Sequence, residues 1–170
     1  MSQIVNRFFL ELKECSVKDF GTSFLNLGLK IVKEKKRDFK KNKFFYKQIG
    51  ADHFWRDRLV WTDRDWSKYV SNPNLETWIM KKKGDLIGFY ELEFHKNKNE
   101  IELINLGILK EFRSQKYGSL ILKHMIKESF KRKINRVWVH TCSLDHKFAL
   151  NNYLSKGFKI FKEEKINFVA

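Results

Sequence analysis

Between Leu106 and Leu122 the chain reads LGILKEFRSQKYGSLIL. An apolar run ends, a polar loop carries Arg113, Ser114, Gln115, Lys116 and Tyr117, and Gly118-Ser119 opens a stretch of helical spacing. The N–H groups of a helix's first turn have no acceptor within the helix, and small residues let an anion approach them closely. With Arg113 and Lys116 adding positive charge, the stretch suits a pyrophosphate; it also reads as an ordinary strand–helix turn with a glycine near the cap. His140, at the end of RVWVHT, is of the residue type whose ordinary pKa lies near neutrality, so it can act as a base or water relay, or be a hydrogen-bonded core histidine. A Cys142–His140 nucleophile would need a third, orienting residue, and none is evident. Asp145 is expected to cap the next helix, beside His146. Upstream, His53–Trp66 crowds Trp55, Trp61 and Trp66 with Asp52, Asp57, Asp63 and Asp65. These offer apolar walls and anionic contacts for an ammonium group, or the tryptophans are simply core, as Trp138 is expected to be.

The elements that must position these residues follow from periodicity. Arg7–Glu14 and Ser23–Val32 alternate and are expected to pair as a hairpin around the turn signals of 15–22. Lys33–Lys43 opens a helix with Phe39, Lys43 and Tyr46 on one face, ending at Ile49 or Gly50. A short helix, Asp65–Val70, takes Asp63 or Thr62 as its cap. Glu76–Lys82 and Leu86–His95 form a second hairpin about Lys83-Gly84-Asp85. Glu100–Leu109 is a strand, Gln115–Arg132 a long helix, Arg136–Thr141 a strand, Asp145–Ser155 a helix closed by Gly157, and Phe158–Glu163 a last strand. The order predicts an α/β sheet with a parallel crossover in its second half.

The 170 residues suit one domain, 1–170, with 42% apolar residues to build its core. Composition excludes a disordered or collagen-like chain, and no apolar run is long enough to span a bilayer. The first residues, MSQIVNRFFLELKE, carry charges within a short apolar stretch and do not read as a signal peptide. Two cysteines, Cys15 and Cys142, are too few and too far apart for a disulfide framework or a zinc site, so a cytoplasmic setting is expected. The net charge of +15 is mostly lysine in a chain poor in alanine and proline, which reads as compositional drift rather than an arginine-rich phosphate-reading surface. Nucleic acid remains a competing partner, without a groove-reading motif to support it.

Two matches at the right separation resemble the GNAT superfamily of acyl-CoA N-acyltransferases. Arg113-Ser-Gln-Lys116-Tyr-Gly118 resembles the motif Gln/Arg-x-x-Gly-x-Gly/Ala, with Lys116 in place of the first glycine. Ala149-Leu-Asn-Asn-Tyr153-Leu-Ser-Lys-Gly157-Phe158 resembles the last motif, Asn-x-x-Ala-x-x-x-Tyr-x-x-x-Gly-Phe, with His146 where asparagine is usual. The resemblance covers residues 75–158 and extends to about residue 24 in a bacterial subgroup sharing VWVHTCSLDH and FFYKQIGADHFWRDRLVW. It implies a mixed, mostly antiparallel sheet, a parallel strand pair splayed at the acyl-CoA site, helices on both faces and an extra N-terminal hairpin. The superfamily's usual last strand is expected to be missing, and that hairpin to cover the edge it would leave.

The resemblance further implies acetyl transfer from acetyl-CoA, as cosubstrate and without a metal, to an unidentified primary amine. Leu106, Gly107 and Ile108 would pair with the pantetheine arm through their backbone, and residues 113–119 would hold the pyrophosphate. Tyr153 would protonate the leaving thiolate as general acid, and Glu102, six residues before Ile108, would be the general base unless His140 is. A homodimer is left open and a membrane partner is not expected. The competing readings are a different acyl group or an oxygen acceptor, a non-catalytic acyl-CoA-binding protein, for which the Lys116 departure speaks, and a basic nucleic-acid-binding domain.

Overall fold

A computed structural model describes residues 2–14, 28–35 and 38–169. Seven strands form one mixed sheet: β1 (Ser2–Leu12), β2 (Leu29–Lys33), β3 (Leu75–Lys82), β4 (Asp85–His95), β5 (Glu100–Ile108), β6 (Arg136–Cys142) and β7 (Lys159–Val169), in the order β2-β3-β4-β5-β6-β1-β7. Among the described residues four α-helices accompany it: α1 (Lys40–Gly50), α2 (Asp63–Val70), α3 (Tyr117–Phe130) and α4 (Ala149–Ser155). No described helix is long and apolar enough to cross a membrane.

The β3–β4 hairpin turns at Lys83-Gly84, both left-handed, with Lys82 facing Asp85. That is the primed two-residue geometry that matches strand twist. Alternation along these strands decides which helices cover which face. Ile79 and Phe89 meet Phe45 and Ile49 of α1, whereas the adjoining Met80 and Tyr90 share a cluster with Ile121, Leu122, Met125 and Ile126 of α3 and Tyr153 of α4. Each of those four α3 side chains is fully buried, worth roughly 1.5–3 kcal/mol apiece. Trp66 of α2 packs edge-on against Tyr46, so α2 lies on the α1 side. Thr62 and Asp65 cap α2 reciprocally in a capping box.

The N-terminal hairpin expected from the alternating runs does not form. β2 pairs with β3 at one side of the sheet, while β1 lies between β6 and β7, antiparallel to both. Alternation identifies a strand and its buried face, but it carries no information about which partner the strand takes. The burial of Val5, Leu10 and Leu12 reflects β1's interior place. The turn signals at 15–22 lie outside the described residues.

Two irregularities shape the middle of the sheet. β5 carries an extra residue, Ile104, between the pairs Leu92/Leu103 and Glu91/Asn105. β5 and β6 are parallel but pair only over Glu100–Glu102 and Arg136–Trp138, then part. From that point one edge of each strand is left open.

Candidate active site

The parting of β5 and β6 makes a cleft of about 990 Å³, at the upper end of ordinary small-molecule sites. One wall is Leu106, Gly107 and Ile108, the last residues of β5. Their other neighbours are Tyr90, Phe89 and Gly88 of β4. Gly107 is required by packing: a Cβ there would lie 2.6 Å from Cγ2 of Ile49, where α1 presses on the strand.

The N-terminus of α3 opens onto the same cleft. Ser114 and Lys116 are left-handed, at φ 62° and 63°, and α3 begins after Lys116 with no side-chain cap. Left-handed residues in a tight turn curl successive N–H groups toward one side. The amides of Ser114, Gln115, Lys116, Tyr117 and Gly118 take no acceptor among the described residues, whereas Ser119 donates to the Lys116 carbonyl at 3.1 Å. Ser114, Lys116, Tyr117, Gly118 and Ser119 line the cleft; Gln115 does not. A Cβ built on Gly118 would meet no atom within 4 Å, so its bare face looks into open space. Arg113 donates from Nε to the Ile108 carbonyl (3.1 Å) and from Nη1 to Asp52 (2.8 Å), leaving Nη2 buried without an acceptor among the described residues. The arginine holds the Asp52 carboxyl below its usual range. Free amides at an uncapped helix start, with a guanidinium lining the same cleft, are the donor types an anion site requires.

Lys116 occupies a backbone conformation that glycine adopts freely and other L-residues at a cost of about 1–2 kcal/mol. Its placement gives the motif's first glycine a physical reason, and makes this chain's lysine a strained position.

The sheet divides the remaining candidates between two sides. Tyr153 is buried on the α3 side, its ring edge-on to Phe158, with no hydrogen bond to its hydroxyl among the described residues. Burial and the Asp145 charge push its pKa up, so the hydroxyl holds its proton. Glu102, Trp138 and His140 point the other way, since Ile101, Leu103, Val137 and Val139 all belong to the α3-side cluster. Glu102 is the last residue of β5 paired with β6. It bonds His95 Nε2 at 2.8 Å, and burial raises its pKa despite that partner. Glu93 faces Glu102 directly across β4 and β5, and ligand atoms of Glu93, His95 and Glu102 lie within 4.8 Å of one another. His140 opens onto the cleft beside Phe9, its pKa lowered by the surrounding protein and by Arg7.

Several neighbours have other roles than the sequence suggests. Asp145 does not cap α4, whose N-cap is Phe148. It accepts from Thr141 Oγ1 (2.7 Å), the Cys142 amide (2.9 Å) and Trp55 Nε1 (3.4 Å), tying the β6–α4 turn to the segment after α1. His53 meets His146 edge-on across the same gap. The Cys142 thiol is pushed up by burial and by Asp145, the wrong direction for a nucleophilic thiolate. Trp55 lines the cleft, but Trp61 and Trp66 pack with Tyr46 and Tyr69. Trp138 is not core: half-buried, it stacks on His95. Asp57 lines the cleft, Asp63 pairs with Lys43, and Asp65 belongs to the α2 cap.

Sequence reasoning missed Arg7, Glu93, His95 and the Arg58–Glu91 pair. Glu91 is buried and accepts from Asn42, Asn105 and Tyr69 at 2.6, 2.6 and 2.8 Å, with Arg58 at 3.5 Å inside a cage of Tyr46, Trp61, Trp66 and Tyr69. A short connection pairs His95 with Glu100, which by antiparallel counting puts Glu93 opposite Glu102. That signal was available in the sequence.

The sequence profile of the acetyltransferase (GNAT) family matches residues 37–158. The chain belongs to that family. Solved GNAT structures share its fold at low identity. An aminoglycoside acetyltransferase from an uncultured soil metagenomic sample, in complex with trehalose, is 15% identical with a TM-score of 0.65, over 86% of this chain and 97% of that one. A GCN5-related N-acetyltransferase from Kribbella flavida is 11% identical with a TM-score of 0.66, over 99% of this chain and 60% of that one. This chain therefore spans about three fifths of that protein's length. A Clostridium acetobutylicum acetyltransferase solved with acetyl-CoA is 15% identical, with a TM-score of 0.61 over 77% of this chain and 90% of that one. No curated protein matches the sequence.

Proposed function

We propose that this GNAT chain, as one domain, transfers an acetyl group from acetyl-CoA to a primary amine by direct attack in a ternary complex. The observation that carries the reading is the cleft between β5 and β6 lined by the uncapped start of α3 and by Arg113. Those donors suit the pyrophosphate. The open edge of β5 at Leu106–Ile108 suits the amides of the pantetheine arm, as an added strand would.

The chemistry then divides across the sheet. The amine approaches from the α1 side, where Glu102 takes its proton, with His140 as the second candidate base. Nitrogen bonds to the acetyl carbon, the tetrahedral oxyanion is held by a β5 N–H, and the C–S bond breaks. Tyr153, on the α3 side, gives its proton to the departing sulfur. A raised hydroxyl pKa suits a group that must arrive protonated.

The test is release of CoA from acetyl-CoA over a panel of amines. Tyr153→Phe keeps the ring and its packing, so CoA affinity should hold while kcat falls roughly 10- to 100-fold, the low end for one general acid. Wild-type turnover in the phenylalanine variant would remove Tyr153 from the mechanism. Tight CoA binding with no turnover on any amine would favour a binding protein, the reading that the strained Lys116 supports.

A further inference from the structure

Arg7 differs from the other arginines around the cleft. Arg113 is paired with Asp52, and Arg58 with Glu91. Arg7 lines the cleft with no hydrogen bond or ion pair among the described residues, and its Nε is buried without an acceptor. A buried donor left unfilled costs about 1–3 kcal/mol, more when charged, so an oxygen placed there would recover much of that energy.

The placement bears on the acceptor rather than on CoA. Arg7 pairs with Cys142 on β6, and Phe9, two residues on, pairs with His140 and touches its ring. Alternation therefore puts Arg7 and His140 on the same face, the α1 side, with Cα atoms about 8 Å apart from strand spacing and rise. On β7, Ile166 lines the cleft beside Val5, its cross-strand partner, while Glu164, the residue facing Arg7, gives its carboxylate to Lys162 and leaves the guanidinium with no hydrogen-bonded anion among the described residues. The opposite end of this face is acidic, with Glu93 and Glu102, and Glu102 sits four β6 residues below Arg7, roughly 13 Å along the strand. A ligand with an ammonium at one end and an anion at the other matches both poles.

We propose that Arg7 binds an oxyanion on the acceptor, so that the amine acetylated by this protein is a small molecule that also carries a carboxylate or a phosphate. The inference rests on the acetyl-transfer reading and adds the acceptor's chemical class. The transfer is unchanged: the N–C bond forms, the C–S bond breaks, the amine proton goes to the base, and the oxyanion takes no part. A guanidinium fork suits either anion bidentately, which lysine cannot reproduce.

The test uses matched acceptors: glycine through 6-aminohexanoate against the alkylamines lacking the carboxylate, and phosphoethanolamine against ethanolamine. Wild type should favour the charged member of at least one series tenfold or more in kcat/KM, and the series that does so identifies the anion. Arg7→Met should bring that ratio close to one, and Arg7→Lys should leave it in between. CoA titration of both variants checks that they fold. Calorimetry of the charged amines into CoA-saturated protein gives a second readout that needs no turnover. Binding through Arg7 without CoA release would overturn acetyl transfer, and with it the acceptor assignment, and leave only the contact between Arg7 and the ligand's oxyanion standing. Equal treatment of both members of every pair by wild type, in turnover and in binding, would overturn it, as would a preference that survives in Arg7→Met.

Discussion

Adding one methyl group at Gly118 should move stability and cofactor affinity in opposite directions. In the free protein a Cβ there meets no atom within 4 Å, and the residue lies in the first turn of α3 with ordinary backbone angles. Gly→Ala in a helix is worth roughly 0.5–1 kcal/mol, the lower figure suiting a first turn. For a chain of this size that raises Tm by about 1–4 °C. With CoA bound, the same methyl stands between the ligand and the amides of Tyr117 and Gly118. A tenfold loss of affinity costs about 1.4 kcal/mol. At CoA a hundred times the wild-type Kd, the ligand stabilises wild type by about 2.7 kcal/mol and the alanine variant by about 1.4. The melting order should therefore cross: Gly118→Ala above wild type without CoA, below it with CoA. Gly118→Val should lose at least as much affinity, with a smaller gain in free stability, because its branched side chain is a poorer helix former than that of alanine. Thermal melts with and without CoA, with Kd from calorimetry, decide the matter. An equal CoA increment in wild type and Gly118→Ala would refute the assignment of these amides to the pyrophosphate.

Lys116→Gly should raise free stability by about 1 kcal/mol by relieving the left-handed strain, yet weaken CoA severalfold through loss of the ammonium, with a shallower salt dependence of Kd; tighter binding would show that the lysine is only an obstruction. Arg58→Met should cost about 3 kcal/mol in urea unfolding, because it leaves the buried Glu91 carboxylate without its cation; a loss under 1 kcal/mol would show that the three neutral donors suffice. His53, His124, His140 and His146 all lie below the ordinary 6.5, burial being the largest cause in each. Their unfolded forms gain protons first as pH falls below 6.5, so stability is full above that value and declines toward the lower folded values, mostly through the half-buried His53 and His124 and least through the exposed His140 and His146. Glu102, shifted up, acts in the opposite sense. A Tm that stays flat from pH 7 to 5 would contradict the burial argument.

Much of the fold was legible because its signals are local. The Lys83-Gly84 turn, the Thr62 cap, the end of α1 at Gly50 and Gly157 after α4 are each set by a few adjacent residues. The long α3 and the parallel β5–α3–β6 crossover follow from periodicity and chain order. Pairing of β1 was not legible, because its alternation fits any neighbour with an apolar face. For the same reason Arg7 could not be placed in the cleft, since its position depends wholly on β1 lying beside β6. Asp145 looked like a cap because Asp is a good cap, but tertiary donors from Thr141, Cys142 and Trp55 claim its oxygens. Lys116 was visible as a departure from the motif, but its cost became visible only with its backbone angle.

The position of β1 also bears on how the cleft is held open. β6 pairs with β5 over only Arg136–Trp138, yet with β1 over Val137–Cys142. The half of β6 that leaves β5 keeps a full antiparallel ladder on its other edge, so β6 gives up one set of hydrogen bonds, not two, where the strands part. The facing edge of β5 is stiffened differently. Its extra residue, Ile104, bends the strand at the point of parting, and the next residue, Asn105, is anchored to the buried Glu91, which α1 and α2 reach through Asn42 and Tyr69. Each side of the cleft thus has its own brace, one a strand from the N-terminus and the other a buried carboxylate. Unpaired backbone groups along the opening still require partners. On the acetyl-CoA reading proposed above, the amides of the pantetheine arm would supply them, and the feature that interrupts the sheet would also be where that peptide-like arm enters it.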